Sequence, residues 1–326
     1  MNFACHTCAC VRCKCCERPK GAKQSPSVLG DCFVAILRLR DKNSRSAQDA
    51  PRNDTVVLGF VHLILLCPLL FFVACVPTPT PHPPVQIEMT GSDSMEWLAR
   101  SLADAYTPMR PYVKITVRPT NSDNGLRAAN EISGTIGLVA REIKPNELAQ
   151  AQTRAVVVAH DGVAIIVNKA NPINAITRAQ LAQVFAGEIP TWPLGPSTGK
   201  RIVVISREDG SGTRDAFETM VMQNKHVTRT ALVMPNEASV VDYVAHNADA
   251  IAYTSMGALT QDVHSLSVDD IPLSIQTVEN KTYPFIRALA FAVPQTPSPD
   301  TQAFIDFALS EEGQRIVGQR FGRAER

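Results

Sequence analysis

From Val56 to Ala74 the chain runs for 19 residues, VVLGFVHLILLCPLLFFVA, without a Lys, Arg, Asp or Glu. As a helix, such a run spans a bilayer, which takes roughly 17–25 residues. Arg38, Arg40, Lys42, Arg45 and Arg52 precede it, and a basic flank of this kind stays on the cytoplasmic side. Cys75 follows at once, and then VPTPTPHPP places five prolines in nine residues. That stretch cannot continue a helix and reads as a stiff, extended spacer. A helix buried in a globular core would not be followed by one. The hydrophobic run is therefore read as an export segment that separates two unlike pieces of chain.

The pieces differ in composition. All nine cysteines lie at or before Cys75. Residues 1–75 hold ten Lys/Arg against five Asp/Glu, while residues 76–326 hold 22 against 26. The formal charge of +1 for all 326 residues thus hides a basic leader and a mildly acidic body. An acidic body argues against a general nucleic-acid binder, which carries a clear basic excess. Within the leader, CHTCACVRCKCC from Cys5 to Cys16 crowds thiols that suit Zn²⁺ or Cu(I). A structural zinc site joins two ligand pairs across a folded stretch, and here the second pair is crowded against the first. The leader is read as unstructured, or as an N-terminus extended by too early a start, with metal binding by the Cys5–Cys16 cluster as the alternative.

Phe72-Val73-Ala74-Cys75, with its proline tether, resembles a bacterial lipoprotein signal. The resemblance implies cleavage before Cys75, a lipid on that cysteine, and anchorage at the outer face of the cytoplasmic membrane. An uncleaved transmembrane anchor is the alternative. Either way the rest of the chain is exported, and a large exported body needs no disulfides. The expected layout is a leader over 1–75, containing the export segment 56–74, a tether over 76–84, and then the body.

From residue 85 on, strand and helix periods alternate. Val85–Met89, Val113–Val117 and Ile136–Ala140 read as strands, with helices at Ser94–Tyr106 and Gly125–Ile132 between them. Ala155–Val158 and Val163–Val167 read as two strands broken by His160-Asp161-Gly162. Helices are expected at Thr177–Phe185, Gly212–Met222 and Ala238–His246, strands at Ile202–Ile205, Ala250–Tyr253 and Leu289–Val293, and one closing helix over Thr301–Val317. Such alternation implies an α/β architecture with largely parallel sheets, and about 240 residues suit two lobes better than one.

The stretch that carries chemistry is IVVISREDGSGTR, from Ile202 to Arg214. A β-rich run ends in Arg207, a tight turn follows at Asp209-Gly210, and Ser211-Gly212-Thr213 opens a helix. A helix start offers unpaired N–H donors and a partial positive charge, which favour anions. Arg207 adds a planar, bidentate donor suited to oxyanions, and Asp209 is placed to orient it. The spacing is neither a nucleotide P-loop nor a G-x-S-x-G elbow. The body's histidines, His82, His160, His226, His246 and His264, lie in no catalytic motif. No enzyme, cofactor or metal is expected.

R-E-D-G-S-G-T-R, preceded by A-I-T-R-A-Q-L-A-Q-V-F-A-G-E-I-P-T-W, resembles the phosphate-binding proteins of bacterial phosphate ABC transporters. Thr90-Gly91-Ser92-Asp93-Ser94, Asn121-Ser122-Asp123-Asn124-Gly125, Ile136–Glu142, Ala250–Tyr253 and Phe304–Gln314 resemble further pieces of that family in order. The resemblance implies the two-lobed periplasmic-binding-protein fold, each lobe a mostly parallel sheet flanked by helices, joined by hinge strands. Lobe 1 would comprise 85–158 plus 255–326, and lobe 2 would comprise 159–254. The cleft between them would hold phosphate or a similar oxyanion on Ser92, Ser94, Ser122, Arg207, Ser211, Gly212 and Thr213, and deliver it to permease subunits. A monomer is expected. One departure stands out: the family's acidic residue, which accepts the proton of bound phosphate, is matched here by Ala140. Asp93 or Asp123 could substitute; otherwise selectivity moves toward sulfate, molybdate or tungstate. A sensor that feeds a signalling partner is the other alternative. Trp192 is expected to pack under a loop rather than touch ligand.

Overall fold

The computed structural model describes residues 83–131, 134–193, 198–223 and 225–325. The leader with its Cys5–Cys16 cluster, the hydrophobic run 56–74, Cys75 and most of the tether lie outside the described residues. Among the described residues, no helix is long and apolar enough to cross a membrane.

The strands, in chain order, are β1 (Val85–Ser92), β2 (Val113–Thr120), β3 (Thr135–Val139), β4 (Thr153–Asn168), β5 (Ala175–Ile176), β6 (Val203–Arg207), β7 (Leu232–Met234), β8 (Ala250–Ser255), β9 (Val263–Ser265), β10 (Ser267–Val268), β11 (Ile286–Pro294) and β12 (Gly322–Arg323). Most join one sheet in the order β2-β1-β3-β11-β4-β8-β6-β7, with β9 and β12 pairing with β4; β5 and β10 pair apart. Its two ends are parallel, as expected: β1 with β2 and β3, and β6 with β7 and β8. The middle is antiparallel, because β4 and β11 run against each other and against their outer neighbours.

Two principal hydrophobic cores flank that middle. The first gathers Met89, Leu98, Leu138, Phe291, Phe304 and Phe321, with the Tyr106 ring edge-on to Phe304. The second gathers Phe185, Trp192, Phe217, Tyr253 and Phe285. Trp192 is buried there and its indole N–H donates to the Asp249 carbonyl at 2.9 Å, the structural role expected of it. Leu266, Val268, Val278, Tyr283 and Phe285 also belong to the second core, which therefore extends past the 159–254 expected for lobe 2 into the segment 255–326 expected for lobe 1. The chain returns to the first core only with β11.

Sequence and structure differ at two joints. His160-Asp161-Gly162 does not break a strand; β4 runs unbroken for 16 residues. Those three residues stay extended because β11 pairs with them, His160 opposite Ala288, Asp161 opposite Arg287 and Gly162 opposite Ile286. The Asp161 charge is met by Arg287 across the ladder, so this polar trio needs no turn to reach water. At Val163 the strand exchanges β11 for β8. The closing helix, in turn, is two: Pro299–Leu309 and Glu311–Val317. Ser310 leaves helical geometry with ψ 169° and its hydroxyl accepts the Gly313 N–H at 3.2 Å, so it caps a new helix inside an apolar period.

Phe217 lies at the centre of the second core, stacked on Tyr253 at 4.1 Å and 14° and 4.5 Å from the Phe185 ring. Phe217→Ala is expected to lower stability by about 3–5 kcal/mol in urea unfolding, the range for truncating a fully buried phenylalanine. A loss below about 1 kcal/mol would show that the core refills the space.

Candidate functional site

The turns that end β1 and β3 and open the helix Ser122–Glu131 meet on the first core. Gly91 makes their approach possible. Its φ is +135°, and a Cβ there would lie 2.2 Å from the Leu138 carbonyl oxygen and 2.9 Å from the Gly125 Cα, so only glycine fits. Directly after it, the hydroxyls of Ser92 and Ser94 hydrogen-bond to each other at 2.8 Å, both buried. Ser122 is fully buried and its Oγ accepts the Ala140 N–H at 3.1 Å. A hydroxyl used as an acceptor still has its own proton to donate.

From the second core, β6 ends in Arg207, and Ser211 caps the short helix Gly212–Phe217 by accepting the Arg214 N–H at 3.4 Å. Gly212 meets the first-core turns directly: a Cβ on it would sit 2.2 Å from Ser122 Oγ and 2.7 Å from the Ala140 carbonyl oxygen. The Asp123 N–H reaches the Gly210 carbonyl at 3.4 Å. Ser122, Ser211 and Gly212 are thus gathered at one contact between the two sets of turns, while Ser92 and Ser94 lie to the Asp93 side.

Arg207 is completely buried. Its Nε and Nη2 donate to Glu208 at 3.0 and 3.1 Å, and Nη2 also donates to both oxygens of Asp93 at 3.1 and 3.2 Å. Nη1 lies 2.8 Å from Glu237 Oε1. That contact is a charge pair without hydrogen-bond alignment, so Nη1 has no hydrogen-bond acceptor among the described residues. Glu237, in turn, accepts the hydroxyls of Thr213 and Thr254 and the Ser255 N–H.

Two expectations are corrected here. Asp209 does not orient Arg207. The turn sends its side chain into solvent, where it pairs with Arg214 at 2.6 Å. Glu208, Asp93 and Glu237 hold the guanidinium instead. The Thr213 hydroxyl is spent on Glu237, so what Thr213 has left to offer an anion is its main-chain N–H.

Three carboxylates around one guanidinium set the electrostatics. Burial alone would lower the Arg207 pKa, but Glu237, Asp93 and Glu208 outweigh it and hold the group above its ordinary range. Burial, then repulsion from Glu237, pushes Asp93 up to about 6 despite Arg207. Glu237 is fully buried, which by itself raises it; Arg207, Arg287 and the two threonines reverse this and keep it below the usual carboxylate range. An anion arriving here meets no net positive charge. What the turns offer an anion is hydroxyls and N–H dipoles, which count for more in a dry site than in water.

The sequence from residue 78 to 312 matches the model of the PBP superfamily domain. The chain belongs to the PBP superfamily. Among solved structures, a substrate-binding protein with bound phosphate from Clostridium perfringens is 31% identical, superposes with a TM-score of 0.69, and is matched over 74% of this chain and 100% of its own. An ABC-type phosphate transport receptor from Vibrio cholerae is 27% identical with a TM-score of 0.61, over 73% and 100%. Phosphate-binding protein PstS of Pseudomonas aeruginosa is 27% identical over 71% of this chain and 80% of its own. These relatives are named as binding and transport proteins, not as enzymes.

Within this PBP-superfamily chain the position of Ala140 is fully buried and carries no acid. Of the two possible substitutes, Asp123 is engaged by Arg141 at 2.8 Å. Asp93 is the one against Arg207. Sequence reasoning had noted Asp93 but missed Glu237 altogether. No motif marks Glu237, since only tertiary structure brings it to Arg207.

The Asp93 shift gives a signed prediction. A carboxyl that binds its proton more tightly folded than unfolded costs stability as pH rises from about 4 through about 6. Asp93→Asn should therefore melt higher than the parent protein at pH 8, by an amount that shrinks to nothing at pH 4. An advantage independent of pH would refute this reading of Asp93.

Proposed function

We propose that this protein is an extracytoplasmic solute-binding protein that captures phosphate between two lobes and delivers it to an ABC permease. The two cores are the lobes, residues 83–158 with 289–323 and residues 163–285, and β4 and β11 are the hinge strands. The observation that carries the reading is the fully buried Arg207 beside hydroxyls and N–H groups contributed from both cores, with Gly212 packed directly against Ser122 Oγ where the two sets of turns meet. The Clostridium perfringens relative, solved with phosphate bound, supports that ligand. Ser92, Ser94, Ser122, Ser211, Gly212 through its N–H, and Thr213 through its N–H are the remaining donors. Cys75 carries the lipid that keeps the protein at the outer face of the membrane.

Ala140 favours one refinement. Asp93, ionised above pH 6 or so, accepts the proton of hydrogen phosphate and repels sulfate, which has none to give. Below that pH the protonated Asp93 is itself a donor and suits sulfate. A broader oxyanion range is the second reading, and the same experiment separates the two.

Calorimetric titration with phosphate, sulfate, molybdate and tungstate is the test. Phosphate should bind tightly at pH 8, and Arg207→Ala should weaken it by roughly tenfold or more, the loss of a charge-assisted pair. The preference for phosphate over sulfate should narrow as pH falls through about 6, and Asp93→Asn should flatten that dependence. Tight binding of none of the four anions would sink the reading; equal binding of phosphate and sulfate at pH 8 would favour the broader range. Radiolabelled palmitate should mark the protein, and Cys75→Ala should abolish the label.

A further inference from the structure

Away from the ligand-facing groups, the strands that pass between the cores hold a second buried ion pair. Arg287 on β11 sits opposite Asp161 on β4. Its Nε and Nη2 donate to Asp161 Oδ2 at 2.9 and 2.6 Å, with both side chains almost entirely excluded from solvent. The other oxygen of Asp161 accepts the Ser255 hydroxyl at 3.0 Å and the Met256 N–H at 3.1 Å. The pair therefore ties the end of β8 to both long strands.

An ion pair with Asp161 occupies only one side of the guanidinium. The other side reaches further, since Nη1 donates to the Ala140 carbonyl at 2.9 Å. The Ala140 N–H donates to Ser122 Oγ at 3.1 Å. Both polar groups of this one residue are thus fixed, one by the crossover strands and one by a proposed ligand serine. Its carbonyl oxygen would be 2.7 Å from a Cβ on Gly212, so Ala140 also sets how closely the second-core turn approaches. We propose that Arg287 is a positioning residue for the anion site: through the Ala140 carbonyl it fixes the distance between Ser122 and Gly212. Arginine suits the role because its rigid planar fork spreads donors over three nitrogens, two toward Asp161 and one toward the Ala140 carbonyl, whereas lysine holds all three of its donors on one nitrogen. The inference rests on reading this contact as the ligand site.

The test compares Arg287→Lys and Arg287→Met with the parent protein in three measurements: phosphate affinity, melting temperature, and the exchange rate of the Ala140 amide without ligand. Arg287→Met leaves Asp161 buried without its cation, and failure to fold would fit that. Arg287→Lys keeps the cation and is the decisive variant. It should melt within about 4 °C of the parent, which corresponds to roughly 1 kcal/mol in a body of this size. It should bind phosphate at least tenfold more weakly, and its Ala140 amide should exchange at least tenfold faster. Phosphate binding within twofold of the parent, or unchanged Ala140 exchange, overturns the proposal. So does an affinity loss that only follows loss of folded protein, as a purely structural role would give. If the parent binds no phosphate the functional reading fails by itself, and the ligand-free exchange measurement still decides the role of Arg287.

Discussion

A cation taken wholly out of water depends on what surrounds it, and the architecture of the site follows from meeting that need for Arg207. Burying an isolated guanidinium costs several kcal/mol even after relaxation. Here the cost is met by carboxylates from three places: Asp93 just after β1, Glu208 next along the chain, and Glu237 at the start of the helix Glu237–His246. Asp93 comes from the first-core side and the other two from the second, so this one guanidinium fastens the halves together. The Glu237 N–H adds to the fastening by donating to Asp93 at 2.7 Å. Three negative charges exceed what one cation needs, and the surplus rests on Asp93. The net charge around Arg207 is therefore not positive, and what the adjoining turns offer a ligand is the number and direction of their hydroxyl and N–H donors.

Much of this could be read from the residues, and what could not has a common cause. Arg207, Ser211 and Gly212 were visible because strand, turn and helix start are contiguous, and local chemistry decides their geometry. Asp93 lies 114 residues before Arg207, and Glu237 joins Thr213 from 24 residues away. No local period points from one to the other. Asp209 shows the opposite error. It is two residues from Arg207, yet the turn at Gly210, with φ +83°, carries it outward to Arg214. The same holds for the fold. Apolar runs mark β1, β2, β3, β4, β6, β8 and β11, whereas the two- and three-residue strands β5, β7, β9, β10 and β12 are too short to show a period; His160-Asp161-Gly162 reads as a break because the partner that neutralises Asp161 is 126 residues distant. Ser310 was hidden for another reason: the apolar period continues across it while the backbone does not.

The two cores also differ in how continuously the chain supplies them. The second core is built from one continuous stretch, residues 163–285. The first is not: Phe291, Phe304, Phe307 and Phe321 join it from the far end of the chain, beside residues that begin at Val85. A polypeptide that emerges amino end first therefore carries β1, β2 and β3 with only the helices Glu96–Tyr106 and Ser122–Glu131 to cover them, and the first core stays incomplete until Phe291, Phe304 and Phe321 have appeared. The second core can close while the chain is still growing; the first must wait for β11 and the two helices after it.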